Sequence, residues 1–306
     1  MKNVRPTANA NLQNTAALNR SSYRLNLLCW PYIDILQAEK EKPMWLRVGC
    51  ELDLNVEAES PMLMVLRPSS GSQQWVAADS FRVTPLVPIQ QYTDGFGNLC
   101  QRLLAPAGRL QISVSSEVQV PEIMDQAPGA PFVNVDHLPQ DALIYLMPSR
   151  FCESDRLGAT AVRIVGSELL GYNQAARISA WIRENLRYRP ESEPDLLSAK
   201  EVLDRGEGVC RDLAHVGIAL CRSLSIPARL VVGYAQDLHP MDHHAWFEAY
   251  VGNRWYCFDP TWPRFDKGRV TLAYGRDASD VPVFSIFGPP MAAPLISTFV
   301  ERCQPV

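Results

Sequence analysis

The hydrophobic period changes once along this chain, and no other feature restricts the possible folds as much. Over 23–120, apolar and polar residues alternate in short runs. Leu46-Arg47-Val48 and Leu52-Asp53-Leu54-Asn55-Val56 keep period two, as do Leu110-Gln111-Ile112-Ser113-Val114-Ser115 and Val118-Gln119-Val120. Side chains on a strand point alternately to its two faces, so these runs predict strands with one buried side. Asp94-Gly95-Phe96-Gly97-Asn98 is a turn signal between two further strand candidates, 86–89 and 99–104. Short strands between Gly or Pro turns predict an antiparallel, sandwich-like β-domain over 23–120. Residues 121–148 hold five prolines, and 121–140 reads as a linker.

From about residue 141 the period is helical. Ala176, Ile178, Trp181, Ile182 and Leu186 fall on one face of a helix over 173–186. Ser198-Ala199-Lys200-Glu201 is a capping box, in which the serine and glutamate side chains each satisfy a free backbone N–H at a helix start. That helix stops at Gly206. After a flexible break at 206–208, another begins near Cys210 and buries Leu213, Val216, Leu220 and Leu224. Pro227 lies beyond its end, 229–234 reads as a buried strand, and Gly252-Asn253 joins strands 244–251 and 254–259 as a hairpin. Helices and then strands, behind a β-domain, make the expected fold class α+β.

Composition closes several other routes. With 47% hydrophobic and 20% charged residues, whole-chain disorder and collagenous or coiled-coil architectures are excluded. Twenty-nine basic against 33 acidic residues leave a net charge of −4, without the clustered basic footprint of a nucleic-acid binder. Apolar runs fall far short of the ~20 residues of a membrane span. Residues 1–22 lack the apolar stretch of a secretory signal and read as a disordered tail. Eight cysteines without a CxxC pair suggest reduced thiols, and the cytoplasm is the expected location.

Cys210 stands out among those thiols. It falls in the first turn of a helix, where unpaired N–H groups and the positive dipole end lower a cysteine pKa from ~8.5. His244 and Asp259 supply the rest of an acyl-transfer arrangement. With Gly252-Asn253 as the turn, Val251 pairs with Arg254 and Trp246 comes opposite Asp259, so His244 is the diagonal neighbour of Asp259 on one sheet face. Diagonal positions ~7–8 Å apart are within reach of an imidazole–carboxylate hydrogen bond. A cysteine facing a histidine held by an acid can attack a carbonyl, the histidine moving the proton and the acid orienting it. The Cys210 N–H is the natural oxyanion donor, and Tyr188 is the side-chain candidate beside it. Cys221, mid-helix, is expected to be inert, and Cys257 to share a face with Asp259. His239 and His243 lie four apart next to Asp242, but outside a helix that spacing does not gather them, and His215 is rotated away from Cys210 to brace a neighbouring element. Neither a metal nor a cofactor is expected.

Four segments in order now carry a resemblance: Gly208-Val209-Cys210-Arg211-Asp212-Leu213-Ala214-His215, Ile226-Pro227-Ala228-Arg229, His244-Ala245-Trp246-Phe247-Glu248-Ala249 and Phe258-Asp259-Pro260-Thr261. The chain resembles the transglutaminase-like superfamily, in particular the bacterial transglutaminase-like branch whose members are described as cysteine proteases. The resemblance implies a papain-like catalytic core over 141–306, with a C-terminal extension, behind that branch's N-terminal β-domain. It also implies Cys210 as nucleophile, His244 as general base and Asp259 as orienting acid. Two positions depart from the family pattern: His243 stands where Ser often precedes the active histidine, and Arg211 where Gln is frequent. The expected activity is hydrolysis of a peptide or protein amide through a cysteine thioester. Transfer of the acyl group to an amine is the alternative, and a non-catalytic interaction module with a vestigial site is a further one.

Overall fold

The structure, a computed structural model, describes residues 43–304 apart from 168, 191–195 and 264–265. The tail expected at 1–22, and the start of the expected β-domain at 23–42, lie outside the described residues.

Six strands open the described chain: β1 (Pro43–Val56), β2 (Ser60–Met64), β3 (Trp75–Thr84), β4 (Ile89–Thr93), β5 (Leu99–Ala105) and β6 (Gly108–Pro121). Two pairs of expected short strands are each one long strand. β1 and β6 pair antiparallel without interruption from Pro43 opposite Pro121 to Val56 opposite Gly108. Gly49 sits where the β1 runs were read as separate, and the ladder passes through it for a packing reason. A Cβ at that position would lie 1.9 Å from the Val114 carbonyl oxygen and 2.6 Å from the Phe299 ring.

The same face of β1 serves two cores. Met44, Leu46 and Val48 pack with Tyr234, Val270 and Leu272, whereas Leu52, Leu54 and Val56 pack with Met62, Met64 and Leu103. Burying a side chain of this size contributes about 1.5–3 kcal/mol, so the strictly kept alternation of β1 and β6 ties the N-terminal sheets to the second half of the chain.

That second half has four helices of seven residues or more among the described residues: α1 (Gly158–Val165), α2 (Tyr172–Asn185), α3 (Ala199–Arg205) and α4 (Cys210–Ser223). Between them run two short strands, β7 (Arg187–Tyr188) and β8 (Glu207–Gly208), and after them β9 (Ala228–Ala235), β10 (His244–Val251), β11 (Arg254–Phe258) and β12 (Arg269–Gly275). The last four form an antiparallel sheet in the order β11-β10-β9-β12. α4 lies close on this sheet because Gly217 has no side chain; a Cβ there would meet the Phe247 ring at 2.4 Å. Among the described residues no helix is long and apolar enough to cross a membrane.

The C-terminal extension expected within 141–306 returns to the N-terminal region. β13 (Phe284–Ile286) pairs with β2, and β14 (Leu295–Arg302) pairs with β1. The N-terminal region is thus two four-stranded sheets, β14-β1-β6-β3 and β13-β2-β5-β4, each completed by a strand from the far end of the chain. Unpaired edges of long strands invite association with other chains, and the returning segment covers those of β1 and β2.

Candidate active site

Local structure delivers Cys210 to its place in steps. Ser198 and Glu201 cap α3 as a capping box, and Gly206, at φ +78°, closes the helix in the left-handed region. The 206–208 segment expected as a flexible break is instead tied down. Arg187 N–H donates to Gly206 O and Arg189 N–H to Gly208 O, both at 2.9 Å, which makes β8 a parallel partner of β7. Asp212, nearly fully buried, then folds back so that its carboxylate accepts the Val209 N–H at 3.2 Å. Gly208 makes room for it, since a Cβ there would stand 2.8 Å from the Asp212 Cβ. Cys210 follows as the first residue of α4, half-buried, on the wall of a cleft of about 590 Å³.

The hairpin delivers the partners. Gly252 and Asn253 both have positive φ, 55° and 64°, the geometry of a two-residue turn that suits strand twist. Val251 pairs with Arg254 and Phe247 with Phe258, the register expected from the sequence. His244 Nε2 lies 2.7 Å from Asp259 Oδ2, with both side chains buried. The other ring nitrogen, Nδ1, is buried without a hydrogen bond among the described residues, and Cys210 shares the cleft with it. Burial works against the imidazolium, but the Asp259 charge and hydrogen bond, helped by the Cys210 thiol, outweigh it and raise the His244 pKa. The carboxyl group responds in the opposite sense. Burial would raise its pKa, yet His244, then Arg269 and the Trp262 N–H hold it well below the usual range.

Arg269 was not singled out from the sequence. Its guanidinium donates to Asp259 Oδ2 at 2.9 Å and to the Trp262 carbonyl at 2.7 Å, and it stands 5.7 Å from the Trp246 ring centre. The other carboxylate oxygen accepts from Thr261 N–H, Thr261 Oγ1–H and Trp262 N–H at 3.0, 2.8 and 2.9 Å. The one sequence sign of Arg269, a cation opening an apolar strand run, is indistinguishable from an ordinary strand end. Thr261, by contrast, belongs to the Phe258-Asp259-Pro260-Thr261 segment that carries the family resemblance.

Tyr188 is brought to the same cleft as Cys210, because β7 places it opposite Gly208, two residues before the cysteine. Both line the cleft. Burial first, then the charges of Cys210 and Asp259, push the phenol pKa up, so it is a proton donor at neutral pH. Among the described residues no group of three His, Cys, Asp or Glu side chains is placed to hold a metal ion. His239 is exposed, and the His243 ring is turned against Tyr234, with ring centres 5.1 Å apart. His215 is fully buried, its Nδ1 at 3.3 Å from Leu197 O and its Nε2 accepting the Ala278 N–H at 3.2 Å. Burial lowers its pKa to about 4, and as a neutral ring it clamps two loops whose neighbouring residues Leu196 and Ala278 border the cleft. Cys221 is buried, which pushes its thiol up. Cys257, close to Asp259 and Arg269, is pushed up to about 12 by burial.

Residues 158–260 match the transglutaminase-like superfamily, and 56–120 match the bacterial transglutaminase-like N-terminal region. The crystal structure of a putative cysteine protease from Cytophaga hutchinsonii is 32% identical, with a TM-score of 0.79 over 87% of this chain and 93% of that one. The uncharacterized protein ML0607 of Mycobacterium leprae is 27% identical over 239 residues, 71% of this chain and 82% of the relative. The uncharacterized protein Rv2569c of Mycobacterium tuberculosis is 31% identical over 120 residues, 34% of this chain and 38% of its own. With 158–260 and 56–120 matched and a 32% identical structure covered over 93% of its length, the chain belongs to the transglutaminase-like superfamily and carries its bacterial N-terminal region.

Proposed function

We propose that this protein is a thiol-dependent amide hydrolase that cleaves peptide or protein amides through a thioester on Cys210. The observation that carries the reading is the His244 ring, bonded through Nε2 to a buried carboxylate, with Nδ1 making no hydrogen bond among the described residues and the Cys210 thiol near enough to raise the ring's pKa. Asp259 fixes the tautomer and favours the imidazolium, so His244 can take the Cys210 proton and keep it until a leaving group needs it. The sulfur attacks the amide carbonyl carbon. Negative charge on the carbonyl oxygen is met by the Cys210 N–H and the Tyr188 hydroxyl. The C–N bond breaks as His244 returns the proton to the amine, leaving the thioester. Water then gives its proton to His244, attacks the thioester carbon, and the sulfur leaves as the acid is released.

Acyl transfer to an amine is the second reading. It is favoured by the apolar residues among the walls of the cleft, Leu196, Leu230, Val232 and Val281, whose side chains offer a water molecule no hydrogen bond. A primary-amine acceptor such as dansylcadaverine separates the two, because transfer gives a fluorescent amide and hydrolysis a free acid. The hydrolase reading is tested by alkylation. At about pH 6.5 iodoacetamide should modify Cys210 ahead of the other thiols, as read by peptide mapping. Cys210→Ser should lose all turnover of any substrate the wild type cleaves, with its melting temperature nearly unchanged. Turnover by that variant would end the thioester reading.

A further inference from the structure

One wall of the cleft comes from outside the segment that matches the superfamily core. Val281, Pro282, Val283, Phe284 and Ser285 line it in succession, and the last two open β13. Among the described residues β13 is the end strand of its sheet. Its register decides which backbone groups face outwards. Val65 N–H donates to Val283 O at 3.0 Å and Phe287 N–H to Pro61 O at 2.8 Å. Residues 283, 285 and 287 therefore turn their backbone groups to β2. In an antiparallel ladder the residues between them turn the other way, so the N–H and C=O groups of Phe284 and Ile286 point to the open edge. Neither residue makes another hydrogen bond among the described residues. The Phe284 and Ile286 side chains pack against the apolar cluster between the two N-terminal sheets, and Phe284 also lines the cleft.

β14 repeats the arrangement in the other sheet. Cys303 N–H donates to Trp45 O at 3.0 Å, which by the same alternation turns the backbone of Ile296, also on the cleft, outwards from β1. Open edges are hazards that proteins shorten or interrupt. Here β13 is three residues long, with Pro282 before it and Gly288-Pro289-Pro290 after it. It is too short to recruit whole strands, yet among the described residues nothing pairs with its edge on the Cys210 cleft.

We propose that β13 is a docking rail for substrate. An extended peptide segment adds to its free edge as one more strand, exchanging N–H and C=O hydrogen bonds with Phe284, and is thereby led along the cleft to Cys210. Main-chain pairing of this kind supplies affinity with little demand on sequence, while alternate side chains meet the lining; here most of the lining is apolar, with Arg211, Asp242 and His243 among it. The substrate class is then an unfolded or flexible peptide segment with apolar side chains, rather than a small amide or a folded surface. This inference rests on the amide-hydrolase reading.

The test uses the wild-type protein and two alkylating agents. An acetylated pentapeptide of alternating Ala and Val, ending in a chloromethyl ketone, loses chloride to the Cys210 sulfur and leaves the peptide in the cleft. Iodoacetamide leaves only a carboxamidomethyl group. Amide hydrogen exchange at Phe284 should be slowed at least about tenfold in the peptide adduct and unchanged in the carboxamidomethyl adduct. A single backbone N-methyl group moved along the peptide should slow alkylation about tenfold at the one residue whose N–H pairs with Phe284, and little elsewhere. Equal exchange at Phe284 in both adducts, or an even response to N-methylation, overturns the rail and leaves the hydrolase reading standing. Failure of Cys210 to react with either reagent overturns both.

Discussion

Arg269→Met is the perturbation whose consequences the structure specifies best. The guanidinium and the Asp259 carboxylate are 3% and 2% exposed and 2.9 Å apart. Removing one partner of a buried pair costs about 3–5 kcal/mol, because the other charge stays behind without its counter-ion. Asp259 would keep His244, both Thr261 donors and the Trp262 N–H, which places the loss near the low end, at about 3 kcal/mol. At about 2 °C per kcal/mol for a chain of this size, the melting temperature should fall by about 6 °C. The acid side responds too. A carboxyl group held below its unfolded pKa of ~3.9 contributes stability that is present above that value and lost as pH falls through the folded pKa. With Arg269 gone the depression is weaker, so acid unfolding should begin at higher pH. Circular dichroism melts from neutral pH downward read both effects. Asp259→Asn alone strands the arginine charge, and the double variant should lose clearly less than the sum of the singles. Additive losses, or a melting temperature within about 1 °C of wild type, would refute the idea that this pair holds the acid in place.

Asp259→Asn should keep the fold but reduce amide turnover by up to ~10⁴-fold, the precedent for a serine triad whose histidine is left in the wrong tautomer; wild-type turnover would remove Asp259 from the mechanism. His215 and His243 are each lowered by burial to about 4. Their contribution is complete above the unfolded value of ~6.5 and is lost as pH drops through the folded one. The melting temperature should therefore decline between those pH values, less steeply in His215→Gln, and an equal slope would exclude His215 as a source. Gly208→Ala pushes a methyl group into Asp212, which should cost about 1–3 kcal/mol and slow alkylation of Cys210; an unchanged alkylation rate would show that the Asp212 cap does not position the thiol.

How much was legible in the sequence follows the range of the interactions. The Ser198–Glu201 box, the Gly206 stop and the Gly252-Asn253 turn each depend on residues a few places apart. Two positive-φ positions fix the hairpin register, and the register alone brings His244 to Asp259. The 206–208 segment misled because glycines there signal freedom locally, whereas Gly206 ends a helix and Gly208 clears space for Asp212. Arg269 and the pairing of β13 and β14 with the N-terminal sheets were not readable for the same reason. Both depend on which distant segments meet.

The sequence by itself determined the elements and the chemistry they carry. Period two, period 3.6, caps and turns act within a few residues, and they brought out a helix-opening cysteine and a histidine paired with an acid across a hairpin. Only the tertiary structure decided what surrounds that chemistry. Arg269 reaches the acid from β12 on the far side of β9, His215 clamps loops from two directions, and β13 returns from the end of the chain to border the cleft. None of these contacts leaves a periodic trace, because a buried guanidinium or an open strand edge is selected by its partner in space, and neighbours in sequence do not record which partner that is.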